Sequence, residues 1–250
     1  MQASKLQHPV LNVTIGGTAT KKRPSYFSLL TDQDFHSVVA SLRFPADMEV
    51  GKTGDPVTVN LSLADEKHIL FTGEIYSEET YRGNHVFGLT DGYKKLTDTQ
   101  IIAAYRKETA SVILQDTLDK AGISKTAIAC PTVEIARFST ENIPADRCIE
   151  QLIKALEEHG FKGLRFFFDA DNTFRFGTAD DIGKNEGKVY EFETGKNIFR
   201  KAEGHIHVLP LPIRHSQEIR IDGVNLVTYR TDLTVSGSCS RLRLWPRGKE

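Results

Sequence analysis

Pro56-Val57-Thr58-Val59-Asn60-Leu61-Ser62-Leu63 places an aliphatic side chain at every second position and a polar one between. A strand turns successive side chains to opposite faces, so this run has one apolar and one wet face and reads as a half-buried strand. Upstream, Leu11, Val13 and Ile15 repeat the alternation and stop at the turn dipeptide Gly16-Gly17. Gly51, Gly54-Asp55, Gly73, Gly83-Asn84 and Asp91-Gly92 punctuate further short runs around Val38 to Phe44, Ile69 to Ile75 and Val86 to Leu89. Short strands at such spacing predict a closed or nearly closed antiparallel barrel or sandwich over residues 1–95.

The periodicity changes after Lys95. Ile113, Leu114, Thr117, Leu118 and Ala121 recur at helical spacing, with Thr109 as N-cap and Gly122 as a left-handed stop. A second helix starts near Pro144, runs through Ile149, Leu152, Ile153 and Leu156, and stops at Gly160. Each has one narrow apolar stripe that must lie against something. The hairpin Leu164 to Phe168, Asp169-Ala170-Asp171-Asn172, Thr173 to Phe176 is the expected partner, which makes residues 96–204 an α/β middle domain. Beyond Gly195 alternation returns in Glu218 to Asp222, in Leu226 to Val235, and in Arg241-Leu242-Arg243-Leu244-Trp245, with Pro246 expected to stop the last. A block of roughly fifty residues buries too little surface alone, so residues 205–250 should pack on the first β region or on another chain. The fold class is α+β, mainly β.

The 250 residues carry 32 Lys+Arg against 33 Asp+Glu, a formal charge of -1, so no global basic excess points to nucleic acid and any charged partner must meet a local patch. A hydrophobic share of 39% with 26% charged residues belongs to a folded chain rather than a disordered one. Cys130, Cys148 and Cys239 are odd in number and unpatterned, with no C-x-x-C, which argues against a disulfide scaffold and a structural zinc site. The N-terminal stretch MQASKLQHPVLNV has no signal-type apolar segment, and no run approaches the ~20 residues that cross a bilayer. The expectation is synthesis in a reducing cytoplasm without membrane insertion.

Several constellations invite a chemical role, and each has a plainer reading. Gly51-Lys52-Thr53 looks like the end of a P-loop, but Ala46 stands where the leading glycine belongs and a strand follows instead of a helix, so a turn is expected. His205 and His207, two apart on a strand, with His215 and Cys239, could hold zinc or copper; a solvated strand face is the simpler account. Cys148, Ser139, His159 and Asp146 are unlinked pieces of a hydrolase, with no G-x-S-x-G or H-E-x-x-H. Glu157-Glu158 and Glu78-Glu79 are adjacent in sequence and read as solvated charges rather than an acid/base couple. Lys21-Lys22-Arg23 and Arg241, Arg243, Arg247, Lys249 are local basic patches able to touch phosphates, without aromatic interleaving for base stacking. No residue is assigned a catalytic, cofactor-binding or metal-ligating role, and no cofactor is expected.

Four stretches in order, Phe71-Thr72-Gly73-Glu74-Ile75, Asp91-Gly92-Tyr93-Lys94-Lys95-Leu96, the hairpin Phe168 to Phe176 with Glu193 to Ile198, and Ile219 to Gly223 with Tyr229-Arg230-Thr231, resemble the baseplate hub proteins of phage tails, the family that includes late control protein D and the hub part of the VgrG spike of type VI secretion. Phe71-Thr72-Gly73-Glu74-Ile75 is similar to the family's barrel turn. Asp91-Gly92-Tyr93-Lys94-Lys95-Leu96, then Tyr105 and the Thr109-Ala110 helix ending Ala121-Gly122-Ile123, resembles its approach to the middle domain. Phe168-Asp169-Ala170-Asp171-Asn172-Thr173-Phe174-Arg175-Phe176 and Glu193-Thr194-Gly195-Lys196-Asn197-Ile198 resemble its next steps, and Ile219-Arg220-Ile221-Asp222-Gly223 with Tyr229-Arg230-Thr231 its shortened second barrel.

That resemblance implies two antiparallel, tube-like β-barrel domains, residues 1–95 and a shortened second barrel at 205–250, with the α/β domain of residues 96–204 inserted between them. It implies a non-enzymatic structural protein: a homotrimer whose ring has pseudo-sixfold symmetry towards the tail tube protein and threefold symmetry towards a central spike protein. The tape measure protein is a further partner, DNA passes through the channel without specific binding, and the finished location is the virion tail baseplate of a phage or prophage. The rival readings are a tail-associated cell-wall hydrolase and a small β-rich adaptor that binds nucleic acid through its basic ends.

Overall fold

The computed structural model describes residues 9–48, 50–63, 66–182, 189–237 and 240–248. The chain divides into a unit of residues 1–91 with 185–250 and a unit of residues 92–184.

The first unit opens with β1 (Val10–Ile15), β2 (Thr18–Ala19), β3 (Tyr26–Asp32), β4 (Val39–Pro45), β5 (Pro56–Leu63), β6 (Glu66–Tyr81) and β7 (Asn84–Thr90). β5 lies between β1 and β6, antiparallel to both, and Val57, Val59 and Leu61 are at most 1% exposed. Leu63 packs half-buried on the same core. Gly16 and Gly17 close the β1–β2 hairpin with φ of 59° and 79°, the mirror-image turn whose twist matches that of the strands. The alternation in β6 is interrupted by two bulges, at Leu70 opposite β5 and at Tyr76 opposite β7. Phe71 faces Val59 and Ile69 faces Asn60, which leaves Leu70 as the extra residue of a bulge, and Leu70 and Phe71 are buried in succession. The turn expected at Phe71-Thr72-Gly73 is instead the middle of β6, where Gly73 backs onto β7 so closely that a Cβ there would fall 2.1 Å from the Thr90 carbonyl oxygen, a physical reason for glycine inside the strand.

The second unit holds α1 (Tyr93–Asp98), β8 (Gln100–Thr109), α2 (Ala110–Lys120), β9 (Thr126–Ile128), β10 (Glu134–Pro144), α3 (Ala145–Glu158), β11 (Arg165–Phe168), β12 (Phe174–Gly177) and α4 (Ala179–Ile182). Its separate core gathers Ile113, Leu114 and Leu118 from α2, Ile149, Leu152 and Leu156 from α3, and Phe166, Phe168, Phe174 and Phe176 from the β11–β12 hairpin. Both long helices end in the expected glycine-assisted cap. Gly122 N donates to Asp119 O at 3.0 Å and Ile123 N to Leu118 O at 2.9 Å, and Gly160 and Phe161 repeat this on Glu157 and Leu156. The antiparallel β8–β10 ribbon is not evident from sequence, because Arg106, Lys107 and Arg137 interrupt its apolar positions.

The chain returns to the first unit through β13 (Tyr190–Phe192), β14 (Ile198–Ala202), β15 (His205–Val208), β16 (Glu218–Ile221), β17 (Val224–Ser236) and β18 (Ser240–Arg247). β17 pairs antiparallel with β3 from Arg230↔Asp32 to Ser236↔Tyr26. Among the described residues, one sheet of thirteen strands results: its path runs β14-β15-β18-β17-β3-β4-β7-β6-β5-β1-β2, with β16 on β17 and β13 on β16. Leu233, Val235, Leu242 and Leu244 join Phe27, Leu29 and Leu42 in a single core. One expectation is corrected: Pro246 does not end its strand, which continues to Arg247. Pro246 sits opposite Thr228, where the register slips past Tyr229, and β15 pairs β18 only over Leu242 to Leu244, so the missing amide breaks no ladder on that side.

Candidate interaction surface

Burial of one face of β3, β4, β17 and β18 dictates what the other presents. Phe27, Leu29, Ala40, Leu42, Leu233, Val235, Leu242 and Leu244 are buried, so their alternate neighbours project away from the core. Register aligns these neighbours in cross-strand rows: His207, Arg243, Asp232, Leu30 and Val39; Trp245, Arg230 and Asp32; Arg241, Thr234, Ser28 and Ser41; Ser236, Tyr26 and Arg43. The surface is a groove of about 810 Å³ with Arg43, Arg230, Arg241 and Arg243 in its lining.

Four guanidiniums there meet two carboxylates. Asp232 accepts from Arg243 Nη2, and Asp32, itself 4% exposed, lies 3.8 Å from Arg230 Nη1. Arg43 stacks over Tyr26 at 4.6 Å, while Arg230 and Arg243 approach the Trp245 ring at 5.3 and 5.8 Å. His205 stacks on Trp245 and on His207, each at 5.0 Å between ring centres. Nε atoms of Arg230, Arg241 and Arg243 are buried without a hydrogen-bond partner, so this cluster is short of acceptors. Desolvation, then the His205 ring and then Arg241, Arg200 and Arg243, hold His207 below the ordinary imidazole range.

The other residues singled out by sequence lie elsewhere or carry plain structural roles. Lys52 N donates to Asp55 Oδ2 at 2.9 Å and Asp55 N to Lys52 O at 3.0 Å, a closed turn ahead of β5. His205 Nε2 and His207 Nε2 are 3.0 Å apart, and His215 is buried with Nδ1 3.0 Å from Ser216 Oγ. Among the described residues no group of three or more His, Cys, Asp or Glu could hold a metal ion. Cys239 and Lys249 fall outside the described residues. Lys22 pairs with Asp47 at 3.3 Å in the open, and the Arg247 guanidinium covers Tyr229 at 3.7 Å.

The hydrolase pieces do not converge. Cys148 is buried in α3 with Sγ 3.5 Å from Thr117 Oγ1, and burial pushes its thiol up, away from the nucleophilic thiolate. Asp146 accepts from the Tyr93 hydroxyl at 2.8 Å, whereas Ser139 and His159 are exposed on β10 and at the end of α3. Glu157 and Glu158 are exposed at the close of α3, and Glu78 lies 3.8 Å from His85 Nδ1. Among the described residues no helix is long and apolar enough to cross a membrane.

Sequence reasoning singled out Arg241 and Arg243 but missed Arg43, Arg230, Tyr26 and Trp245 as their companions. Their outward parity on alternating strands was the available signal; the β3–β17 pairing that unites them has no local signature.

No family model matches the chain, and no curated protein matches it. Solved structures do. The 43 kDa tail protein of prophage MuSo2 from Shewanella oneidensis superposes with a TM-score of 0.74 at 12% identity, over 97% of this chain and 98% of that one. The tail protein from Neisseria meningitidis MC58 gives 0.71 at 12% identity, over 96% of each chain. An E. coli component of the type VI secretion system, described as structurally similar to the T4 bacteriophage tail proteins gp27 and gp5, gives 0.68 at 11% identity, over 95% of this chain and 77% of that one. The chain therefore has the fold of phage tail and type VI tail-like proteins, and at such identities the likeness is one of fold.

Proposed function

We propose that this chain is a structural baseplate hub of a phage or phage-like tail. Three copies form a ring, each supplying two β wall segments, one built around residues 1–91 and a shorter one around residues 185–250, with the unit of residues 92–184 inserted in the chain between them. Three pairs of similar segments present pseudo-sixfold symmetry to the tail tube protein and threefold symmetry to the central spike protein, so the ring adapts one symmetry to the other. DNA passes through the bore without specific binding, the tape measure protein is a further neighbour, and the assembled location is the virion tail. The role is mechanical rather than catalytic.

The observation that carries this reading is the likeness to the Shewanella prophage tail protein over nearly the whole of both chains. Buried Cys148 and the scatter of the other nucleophile and base candidates favour it over the hydrolase. The test is solution mass by light scattering, alone and with candidate tube and spike proteins, followed by electron microscopy. A species of three 28.0 kDa protomers with a central channel is expected. A protein that stays monomeric at high concentration with both partners present would remove the hub reading.

A further inference from the structure

We propose that the groove formed by β4, β3, β17 and β18 is a docking site for an acidic polypeptide segment carrying an apolar anchor side chain. The chain as a whole is close to neutral at -1, yet register gathers Arg43, Arg230, Arg241 and Arg243 on one face, where Asp32 and Asp232 pair with two of them. Arg243 already engages the Asp232 carboxylate there, so the groove suits carboxylate acceptors. The Arg230 and Arg243 side chains remain 40% and 31% exposed beside their carboxylates, so a further acceptor can reach them.

Apolar surface lies in the same lining: Leu30 pairs with Val39, which is 63% exposed, in the cross-strand row that holds Asp232 and Arg243. Guanidiniums beside an exposed aliphatic side chain match a segment with carboxylates and one apolar residue, the mixture found where polypeptides dock. Nucleic acid is the poorer fit. A sugar-phosphate backbone offers nothing to Leu30 and Val39, and the rings that would stack on bases are engaged, Tyr26 by Arg43 and Trp245 by His205 and two arginines. Docking here does not depend on the ring.

The full chain is titrated by fluorescence anisotropy with a labelled peptide of about eight residues, long enough in extended form to follow the strands, with Asp and Glu around one Leu. Comparison probes are the same peptide with Asn and Gln, the same peptide with Ser for Leu, and a single-stranded oligonucleotide of equal charge. The acidic peptide should bind and both altered peptides should bind more weakly. The double variant Arg43→Gln/Arg241→Gln removes neither arginine that pairs with a groove carboxylate, and should weaken peptide binding roughly tenfold or more while leaving the circular dichroism spectrum intact. Val39→Ser, a surface change, should remove the preference for the Leu-bearing peptide and serves if the double variant misfolds. The proposal is overturned if the acidic peptide does not bind, if neither variant alters its binding, or if the oligonucleotide binds more tightly.

Discussion

Thr31 Oγ1 and Thr231 Oγ1 lie 2.8 Å apart inside the core, joined across 200 residues of chain by the pairing of β3 with β17. Each residue is 1% exposed, so neither hydroxyl has water as an alternative partner. Thr31 Oγ1 also accepts from His215 N at 3.1 Å. Thr31→Val and Thr231→Val should each cost about 1–3 kcal/mol by leaving a buried polar group unpaired. Thr31→Val should cost the more, because it removes the acceptor of the His215 amide as well as the partner of the Thr231 hydroxyl. The double variant should cost less than the sum, measured by urea denaturation of all four forms.

Val59 occupies the middle of β5 at 0% exposure, with Val13 opposite on β1 and Phe71 on β6. Val59→Asp would place an unpaired carboxylate there and should cost more than about 4 kcal/mol, enough to unfold a marginal domain. A soluble variant with an unchanged melting curve would contradict the placement of this face.

Residues 92–184 hold a core of their own and should fold when expressed alone, with a cooperative thermal transition. Deleting residues 206–250 should do the reverse to the first unit, because it removes β16, β17, β18 and most of β15 and leaves β3 without a neighbour on one side. Circular dichroism of the two truncated proteins checks both statements; a second cooperative transition in the deletion variant, beyond that of residues 92–184 alone, would count against the shared core.

His207 is held below its ordinary pKa of 6.5 in the folded chain, so the unfolded chain takes up the proton first as pH falls. Its contribution to stability is therefore complete above about pH 6.5 and is lost as pH drops through the folded value. Protonation brings positive charge towards Arg200, Arg241 and Arg243 and towards His205. His207→Gln should flatten the decline of stability as pH falls below about 6.5 relative to the unaltered chain, read from denaturation midpoints. An equal slope in both proteins would show that His207 does not titrate differently on folding.

Local pattern made much of this fold legible. Leu11, Val13 and Ile15, Val57 to Leu63, and the helices closed at Gly122 and Gly160 follow from side-chain periodicity and from backbone angles that glycine takes at little cost. The bulge at Leu70 and the passage of β18 through Pro246 escaped it, because both depend on how a neighbouring strand is spaced.

Composition and alternation alone determined that the chain is mainly β, interrupted by a helical stretch, without a global charge to define a partner. Which strands become neighbours was decided only in three dimensions. β3 selects β17 because Phe27 and Leu29 must share a core with Leu233 and Val235, and burial is a property of the assembled sheet rather than of either segment. The same choice carries Arg43 from β4, Arg230 from β17 and Arg241 and Arg243 from β18 onto one face, so the most chemically distinctive surface of the protein is a consequence of long-range packing.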